Sequence, residues 1–400
     1  MRRFFIPLIS ILLLLSPSIC FSDPTSRDSF DWEGTKITMF YGDETDVVIP
    51  DGTTEIDEYA FQECESLESV IIPEGVTRIG ECAFSSCESL ESVVLPKSLK
   101  KIERDAFAHC PSLTSIEIPE GVKKIGESAF TECESLTSVK LPKSVKEIGD
   151  LAFRLCESLT SVVIPEGVTA IGESAFAECE SLTEVVLPDS LKKIEYGAFE
   201  FCPNLKKWTL SPNHPFFKTD GPALLTKDGQ TLVACLCSAK EYKIPEGVKV
   251  IGGSAFSGCG ALKSVVIPES VEVIGPFAFS ICESLKSVVI PGRVTVIYEN
   301  AFYGCGSLKS VVIPESVEVI GPNAFDCCDS LESVVIQGAR VICAEAFANC
   351  ESLKFVDIPE SVMEIGRNAF NKCPNLTIHA PKGSKAEEYA KENNIPFQAK

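Results

Sequence analysis

Histidine is scarce in this 400-residue chain, and the residue types that build catalytic sites form no known motif. The three histidines, His109, His214 and His379, lie far apart. The chain contains no G-x-S-x-G nucleophile motif, no P-loop, no H-E-x-x-H zinc motif and no dinucleotide fingerprint. No C-x-x-C pair accompanies the histidines. We therefore expect no enzymatic activity, no cofactor and no metal site.

Basic residues are also in short supply, because 36 Lys and Arg face 57 Asp and Glu and leave a net charge of −21. A surface this acidic repels phosphate backbones, so nucleic acid is not an expected partner. Long apolar runs are missing as well. The longest, from Phe4 to Leu15, is too short to span a bilayer, and we expect no transmembrane segment.

The first 22 residues, MRRFFIPLISILLLLSPSICFS, have the order of a secretory signal peptide. Two arginines precede the apolar run, and small residues follow it and permit cleavage after Cys20 or after Ser22. A lipid anchor at Cys20 is the alternative, although Ile19 is bulky where such sites favour a small residue. The sequence thus predicts a secreted or cell-surface protein.

One phrase of 23 residues fills most of the chain, and the dipeptide Ala-Phe marks each copy. A fixed period in this range predicts a solenoid whose coils each stack on their neighbours. Successive copies are 23 residues apart, except for a break after Phe199 and one interval of 22. The marked positions are Phe61, Phe84, Phe107, Phe130, Phe153, Phe176 and Phe199, then Phe256, Phe279, Phe302, Phe325, Phe347 and Phe370.

Within a copy the apolar period changes. The segment Ser66 to Pro73, SLESVIIP, alternates like a strand that enters a core, and Pro73 ends it. The segment GECAFSSC then places Ala83, Phe84 and Cys87 as on one side of a single helical turn. One helical turn is unstable alone, so stacking of equivalent side chains must stabilise the coils.

The full pattern, Leu-x-x-Val-x-Ile-Pro-x-x-Val-x-x-Ile-Gly-x-x-Ala-Phe-x-x-Cys, resembles the BspA-type leucine-rich repeats over about residues 47 to 378. The resemblance implies a curved, right-handed solenoid with a parallel sheet on its concave face and short helical turns on its convex side. It also implies a non-enzymatic, secreted or surface-attached protein that acts in adhesion or partner recognition.

The ends and the break complete the predicted organisation. Residues 23–55 would form an N-terminal cap, 56–210 seven coils, 244–378 six coils, and 379–400 a C-terminal helix and strand with Ser384 as the N-cap. Between the solenoid halves, residues 211–243 contain two apolar segments around Asp228-Gly229, which predict a β-hairpin. This island is either an elbow between the halves or a recognition element.

Nineteen cysteines in an exported protein would normally indicate disulfides. Thirteen of them, however, recur at one position of the repeat, where their Cβ vectors would run parallel instead of converging. We therefore expect a column of buried free thiols that act as small apolar side chains.

The alternation of strand side chains identifies the candidate binding site, because residues between the inward positions must face outward. One outward row is mostly apolar, and serines and then lysines run beside it on the predicted concave face. The candidate residues are Ile71, Val94, Val163, Val186, Val266, Val289, Val312 and Val335, with Ser264, Ser287 and Ser310, and with Lys263, Lys286 and Lys309.

A long apolar row edged by polar residues is a candidate contact surface, although valine is also simply a good strand former. We expect a monomer that binds an extracellular or host protein through this face. The alternative is an envelope- or carbohydrate-associated structural spacer without a specific protein ligand.

Overall fold

The computed structural model describes residues 24–400, so the predicted signal peptide and Cys20 lie outside the described residues. The chain forms a parallel β-solenoid with very little helix, which confirms the repeat solenoid. Two strand ladders and one ladder of turns run along the molecule, and each coil contributes to all three.

The isoleucine ladder consists of two-residue strands whose second residue points into the core. Equivalent isoleucines pair across successive coils, as Ile56 does with Ile79 and Ile79 with Ile102. Its strands are Glu55–Ile56, Arg78–Ile79, Lys101–Ile102, Lys124–Ile125, Glu147–Ile148, Ala170–Ile171 and Lys193–Ile194, then Val250–Ile251, Val273–Ile274, Val296–Ile297, Val319–Ile320, Val341–Ile342 and Glu364–Ile365.

The valine ladder carries the predicted binding face and is divided into five sheets. Its middle residues are inward, and the segment at Ser287 lacks a strand partner within residues 24–400. Its strands are Asp46–Val48, Ser69–Ile71, Ser92–Val94, Ser115–Glu117, Ser138–Lys140, Ser161–Val163, Glu184–Val186, Lys207–Thr209, Glu241–Lys243, Ser264–Val266, Ser310–Ile313, Ser333–Ile336, Phe355–Asp357, Thr377–Ala380 and Phe397–Ala399.

The third ladder corrects the expectation of short helical turns, which are not present at the Ala-Phe segments of the described chain. Left-handed residues interrupt each segment, such as Tyr59 at φ 62° and Glu63 at φ 58°, and a helix cannot accommodate them. The N–H groups bond to the next coil instead, as the Phe61 N–H does to the Ala83 carbonyl at 2.7 Å. Bonding between coils has therefore replaced the bonding within a helix.

The phenylalanines form continuous internal columns, as the repeat predicts. The rings of Phe84, Phe107 and Phe130 lie 5.1 and 5.4 Å apart between centroids, with interplanar angles of 3° and 2°. Nearly parallel rings at this separation are offset-stacked, and each is completely buried. The columns thus supply the stability that an isolated coil lacks.

Hydrogen bonds join a turn that contains glycine to the turn of the next coil, which contains serine. The Gly75 N–H donates to Ser98 Oγ at 2.9 Å, and that hydroxyl donates to the Val76 carbonyl at 2.8 Å. The Glu74 carboxylate accepts from the N–H groups of Lys97 and Ser98. The first bond recurs between Gly121 and Ser144, Gly167 and Ser190, and Gly247 and Ser270.

The island is a second cap, built like the first. The N-terminal cap is the hairpin Phe30–Glu33 and Lys36–Phe40, whose second strand pairs in parallel with Glu55–Ile56. The island contains Phe217–Asp220, Ala223–Thr226 and Thr231–Cys235, whose last strand pairs in parallel with Val250–Ile251. Residues 34–61 and 229–256 correspond without a gap at a constant offset of 195.

Each cap begins its own hydrophobic core. The island strand Ala223–Thr226 lies between the two cores, because Leu224 packs into the first, and Ala223 and Leu225 pack into the second. Because successive side chains of this strand point to opposite faces, the strand covers the end of the first core and also forms the start of the second.

The C-terminal end is covered by helix Lys385–Glu392 and strand Phe397–Ala399. Ser384 is the N-cap, since its hydroxyl accepts from the Glu387 N–H at 3.4 Å. The ring of Tyr389 meets Phe370 edge to face at 5.9 Å and ends the aromatic column. A short 3₁₀ turn, Arg27–Ser29, precedes the first strand at the other end.

Candidate binding face

The outward row of the valine ladder, here called the valine face, consists of the eight apolar candidates from Ile71 to Val335. Ile71, Val186 and Val335 are half-buried, and the other five are exposed. The exposed fractions are 47% for Val94, 63% for Val163, 54% for Val266, 74% for Val289 and 49% for Val312. The inward neighbours, such as Val162 at 1%, are buried, so the alternation that sequence predicts holds along this ladder.

Two coils interrupt the apolar row in the first half. Glu117 and Lys140 occupy the outward position there and form an ion pair across adjacent strands. A row of threonines beside it forms hydrogen bonds between coils, since the Thr137 hydroxyl donates to the Thr114 carbonyl at 3.0 Å. Much of the polar surface in the first half is therefore engaged in joining coils.

The corresponding rows of the second half are free of such bonds between the lysine and serine side chains of successive coils. Ser287 and Ser310 are exposed, Ser264 is half-buried, and Lys263, Lys286 and Lys309 are exposed. These rows run parallel to Val266, Val289 and Val312, one of each per coil. The structure thus brings the predicted serine, lysine and valine candidates together on one surface of the second half.

The cysteine column is buried and hydrogen-bonded. Eleven of the thirteen ladder thiols donate to a phenylalanine carbonyl of the preceding coil, as Cys87 does to Phe61 at 3.1 Å and Cys305 to Phe279 at 3.2 Å. Burial raises the pKa of Cys133 and of Cys305 to about 12. Thiolate, the form that ligates metals and attacks electrophiles, is therefore scarce at these two positions.

One group of possible metal ligands, Glu81, Cys82 and Asp105, has its ligand atoms within 4.8 Å of one another in residues 24–400, and no motif in the sequence points to it. Burial and the neighbouring Asp105 and Glu81 charges raise the pKa of the Cys82 thiol. The Arg104 guanidinium also donates to Asp105 at 3.0 Å. The Asp105 carboxylate of this group is therefore already paired with a cation.

The three histidines have structural contacts. The rings of His109 and His379 contact Glu132 and Asp357 at 2.8 and 3.1 Å. His214 is buried, with its Nε2 at 2.8 Å from the Pro188 carbonyl, and it accepts from the N–H of Phe217. None of them approaches another histidine among the described residues, and each holds a loop or coil in place.

A parallel solenoid with 23-residue coils, columns of leucine, isoleucine and phenylalanine, and one broad outward sheet is a leucine-rich repeat protein. The model of the BspA type leucine rich repeat region matches residues 37–159, 100–220, 233–340 and 320–390. The chain therefore belongs to the BspA-type leucine-rich repeat family. Proteins of this kind are generally structural or binding proteins.

Crystal structures of bacterial proteins agree with this assignment. A leucine-rich repeat protein from Bacteroides ovatus is 31% identical over 92% of this chain and 94% of its own, with a TM-score of 0.56. A leucine rich cell surface protein from Faecalibacterium prausnitzii is 28% identical over 95% of this chain and 100% of its own, with a TM-score of 0.61. The pneumococcal vaccine antigen PcpA, 20% identical over 94% of this chain and 98% of its own, shares the fold with a TM-score of 0.66.

A comparison with curated protein sequences finds no match. In residues 24–400, no helix is both long enough and apolar enough to cross a bilayer.

Proposed function

We propose that the protein is exported and acts outside the cell or on its surface as a recognition protein, binding a protein partner through the valine face. The signal-like N-terminus and the similarity to a bacterial cell surface protein support the export. The observation that carries the binding role is the ordered exposure of Val163, Val266 and Val289 at equivalent positions of the coils.

Exposed valines are unusual in such numbers, since a monomeric protein rarely leaves a continuous apolar row uncovered. No helix or loop among residues 24–400 covers the row in the second half, where the valines are most exposed. A surface that is already formed by paired strands also loses little conformational entropy when a partner binds, which favours affinity.

The test replaces Val266, Val289 and Val312 by aspartate and measures binding of purified residues 23–400 to extracellular-matrix and cell-envelope fractions. We expect the triple variant to lose binding while its circular dichroism spectrum stays unchanged, because the three side chains point into solvent. The matched control replaces three exposed apolar residues on other surfaces, Phe277, Tyr298 and Met363, by aspartate. This control should bind like the wild type.

Equal binding by the wild type and the Val266, Val289 and Val312 variant would overturn the proposal. Protease treatment of the fractions distinguishes a protein ligand from a carbohydrate or other envelope component. Loss of binding after treatment supports a protein ligand, whereas retention supports the carbohydrate- or envelope-associated spacer.

A further inference from the structure

Four lysines occupy one position in successive coils at the start of the second half. The N–H of Lys263 donates to the Lys240 carbonyl at 2.7 Å, and those of Lys286 and Lys309 donate to the preceding lysine carbonyl at 3.2 and 3.3 Å. All four side chains are exposed. We call Lys240, Lys263, Lys286 and Lys309 the lysine row.

The lysine row lacks the close ion pairs that Lys140, Lys207 and Lys354 have on the same ladder. Lys240, Lys263 and Lys286 form no ion pair with any described residue, and Lys309 has only Glu332, at 3.9 Å. Elsewhere on the ladder, lysines are paired at shorter distances, as Lys207 is with Glu184 at 2.8 Å and Lys354 with Glu332 at 2.6 Å.

This clustering stands out in a chain of net charge −21. Stacked ammonium groups repel one another, so a ligand with negative charges along its length would relieve the repulsion. In these four coils, Glu241 is the one acidic residue among the equivalent positions of the lysine, serine and valine rows. Lys243 adds a further cation there. The row is therefore complementary to an anionic partner.

The valine face runs beside the lysine row over the same coils. Val266, Val289 and Val312 are all about half exposed or more, and serines separate them from the lysines. A partner that covers both rows must present an acidic stripe next to an apolar stripe. That combination describes an amphipathic polypeptide better than a polysaccharide, which would leave the valines uncovered.

The spacing of the coils indicates the conformation of that polypeptide. Successive coils lie about 5 Å apart, since the rings of Phe256, Phe279 and Phe302 are separated by 4.8 and 5.2 Å. An α-helix rises about 5.4 Å per turn, so its stripes repeat in step with the coils over three or four turns. An extended strand repeats one face every 6.6 Å or so and drifts out of step within two coils.

We infer that the lysine row and the valine face of the second half bind an acidic amphipathic helix of a partner protein, lying along the solenoid axis. Its carboxylates would meet the lysines, and its apolar stripe would cover Val266, Val289 and Val312. This inference rests on the proposed function and narrows the class of its partner.

The experiment displays a library of roughly 18-residue helices, about five turns long, with randomised surface charge on phage. Selection uses residues 23–400, with counter-selection on a variant carrying Lys263→Glu and Lys286→Glu. We expect the enriched helices to carry acidic residues one turn apart beside an apolar stripe. The selected peptides should bind the variant about tenfold more weakly or worse, and more weakly at high salt.

Two further variants complete the design. Val266→Ser with Val289→Ser should also weaken peptide binding, whereas Lys123→Glu with Lys146→Glu, on another surface, should not. Enrichment of neutral or basic helices, or no loss with the Lys263 and Lys286 variant, would overturn the inference. Heparin binding that depends on the lysines but not on the valines would overturn it too, in favour of an anionic polysaccharide.

Failure of this inference can be told apart from failure of the proposed function. If the Val266, Val289 and Val312 variant loses binding to surface proteins but acidic helices are not selected, only the partner class is wrong. If that variant keeps its binding, the valine face itself is not the site.

Discussion

At the scale of single residues, the repeat determines which side chains are buried but not how the backbone turns. The period places Phe153 and its equivalents in one column, and stacking at 5.2 Å to Phe176 follows from it. The left-handed conformations of Tyr59, Glu63 and Cys82 could not be predicted, because none of these residue types favours positive φ. Hydrogen bonds to the next coil, invisible in local sequence, compensate their strain.

Glu200 is the residue whose titration should affect stability. It lies at the junction of the two halves, and its carboxylate accepts from Ser174 Oγ at 3.2 Å. Burial raises its pKa above the ordinary value. A raised pKa in the folded state means that its stabilising contribution is complete below the ordinary pKa and is lost as pH rises through the folded pKa.

We therefore expect Glu200→Gln to increase the free energy of unfolding at neutral pH by about 0.5–2 kcal/mol and to have little effect near pH 3. The amide oxygen can still accept from Ser174. Urea denaturation at several pH values measures the difference. Glu246→Gln, at an exposed site, is the control, and parallel pH profiles for Glu200→Gln and the wild type would contradict the assignment.

At the scale of the coil, strands and turns were predictable to different degrees. Alternation in SLESVIIP locates the inward Val70 and the outward Ile71, and the structure agrees. The sequence also shows that glycine turns such as PEGV and serine turns such as PKSV alternate from Pro73 to Leu191, but not that the hydroxyl of one bonds to the backbone of the other. Such partners are 23 residues apart, and only the stacked structure brings them together.

Ser144→Ala should show what this bond contributes. The substitution removes the acceptor of the Gly121 N–H, at 3.0 Å, and the donor to the Val122 carbonyl, at 2.8 Å. Leaving a partly buried N–H without a partner should cost about 1–3 kcal/mol of unfolding free energy. Chemical denaturation measures the loss, and Ser138→Ala, at an exposed strand position, should cost less than about 0.5 kcal/mol. Equal effects of the two substitutions would mean that the turn bond is unimportant.

At the scale of the molecule, the sequence predicted the solenoid and a break, but not the role of the break. The hairpin signal at Asp228-Gly229 was visible, whereas the sharing of one strand between two cores was not. The two halves also approach each other closely, since a Cβ on Gly258 of the second half would lie 2.4 Å from the Phe201 ring of the first half. The island, for which the sequence leaves an elbow or a recognition element as alternatives, therefore has the strand arrangement of a cap.

Fragments test this organisation. A fragment of residues 24–238 keeps Phe217, Leu224 and Leu236, which complete the first core, whereas residues 24–210 lack them. We expect the longer fragment to unfold cooperatively in urea and the shorter one to aggregate or unfold gradually, because its last coil is uncovered. Residues 216–400, which begin with the second cap, should also unfold cooperatively. Cooperative folding of 24–210 alone would show that the island is not needed as a cap.

The alternating turn bond also constrains how this chain can change its length. From Gly75 to Ser190 each glycine turn is followed by a serine turn, so the smallest addition there that keeps every such bond is a pair of coils, the 46 residues from Gly75 to Gly121. Duplication or loss of a single coil in this stretch would leave one glycine N–H or one serine hydroxyl without its partner in the next coil. Recombination among these copies should therefore be tolerated when it adds or removes two coils together. Natural variants of the molecule should then differ in solenoid length by about 10 Å at a time.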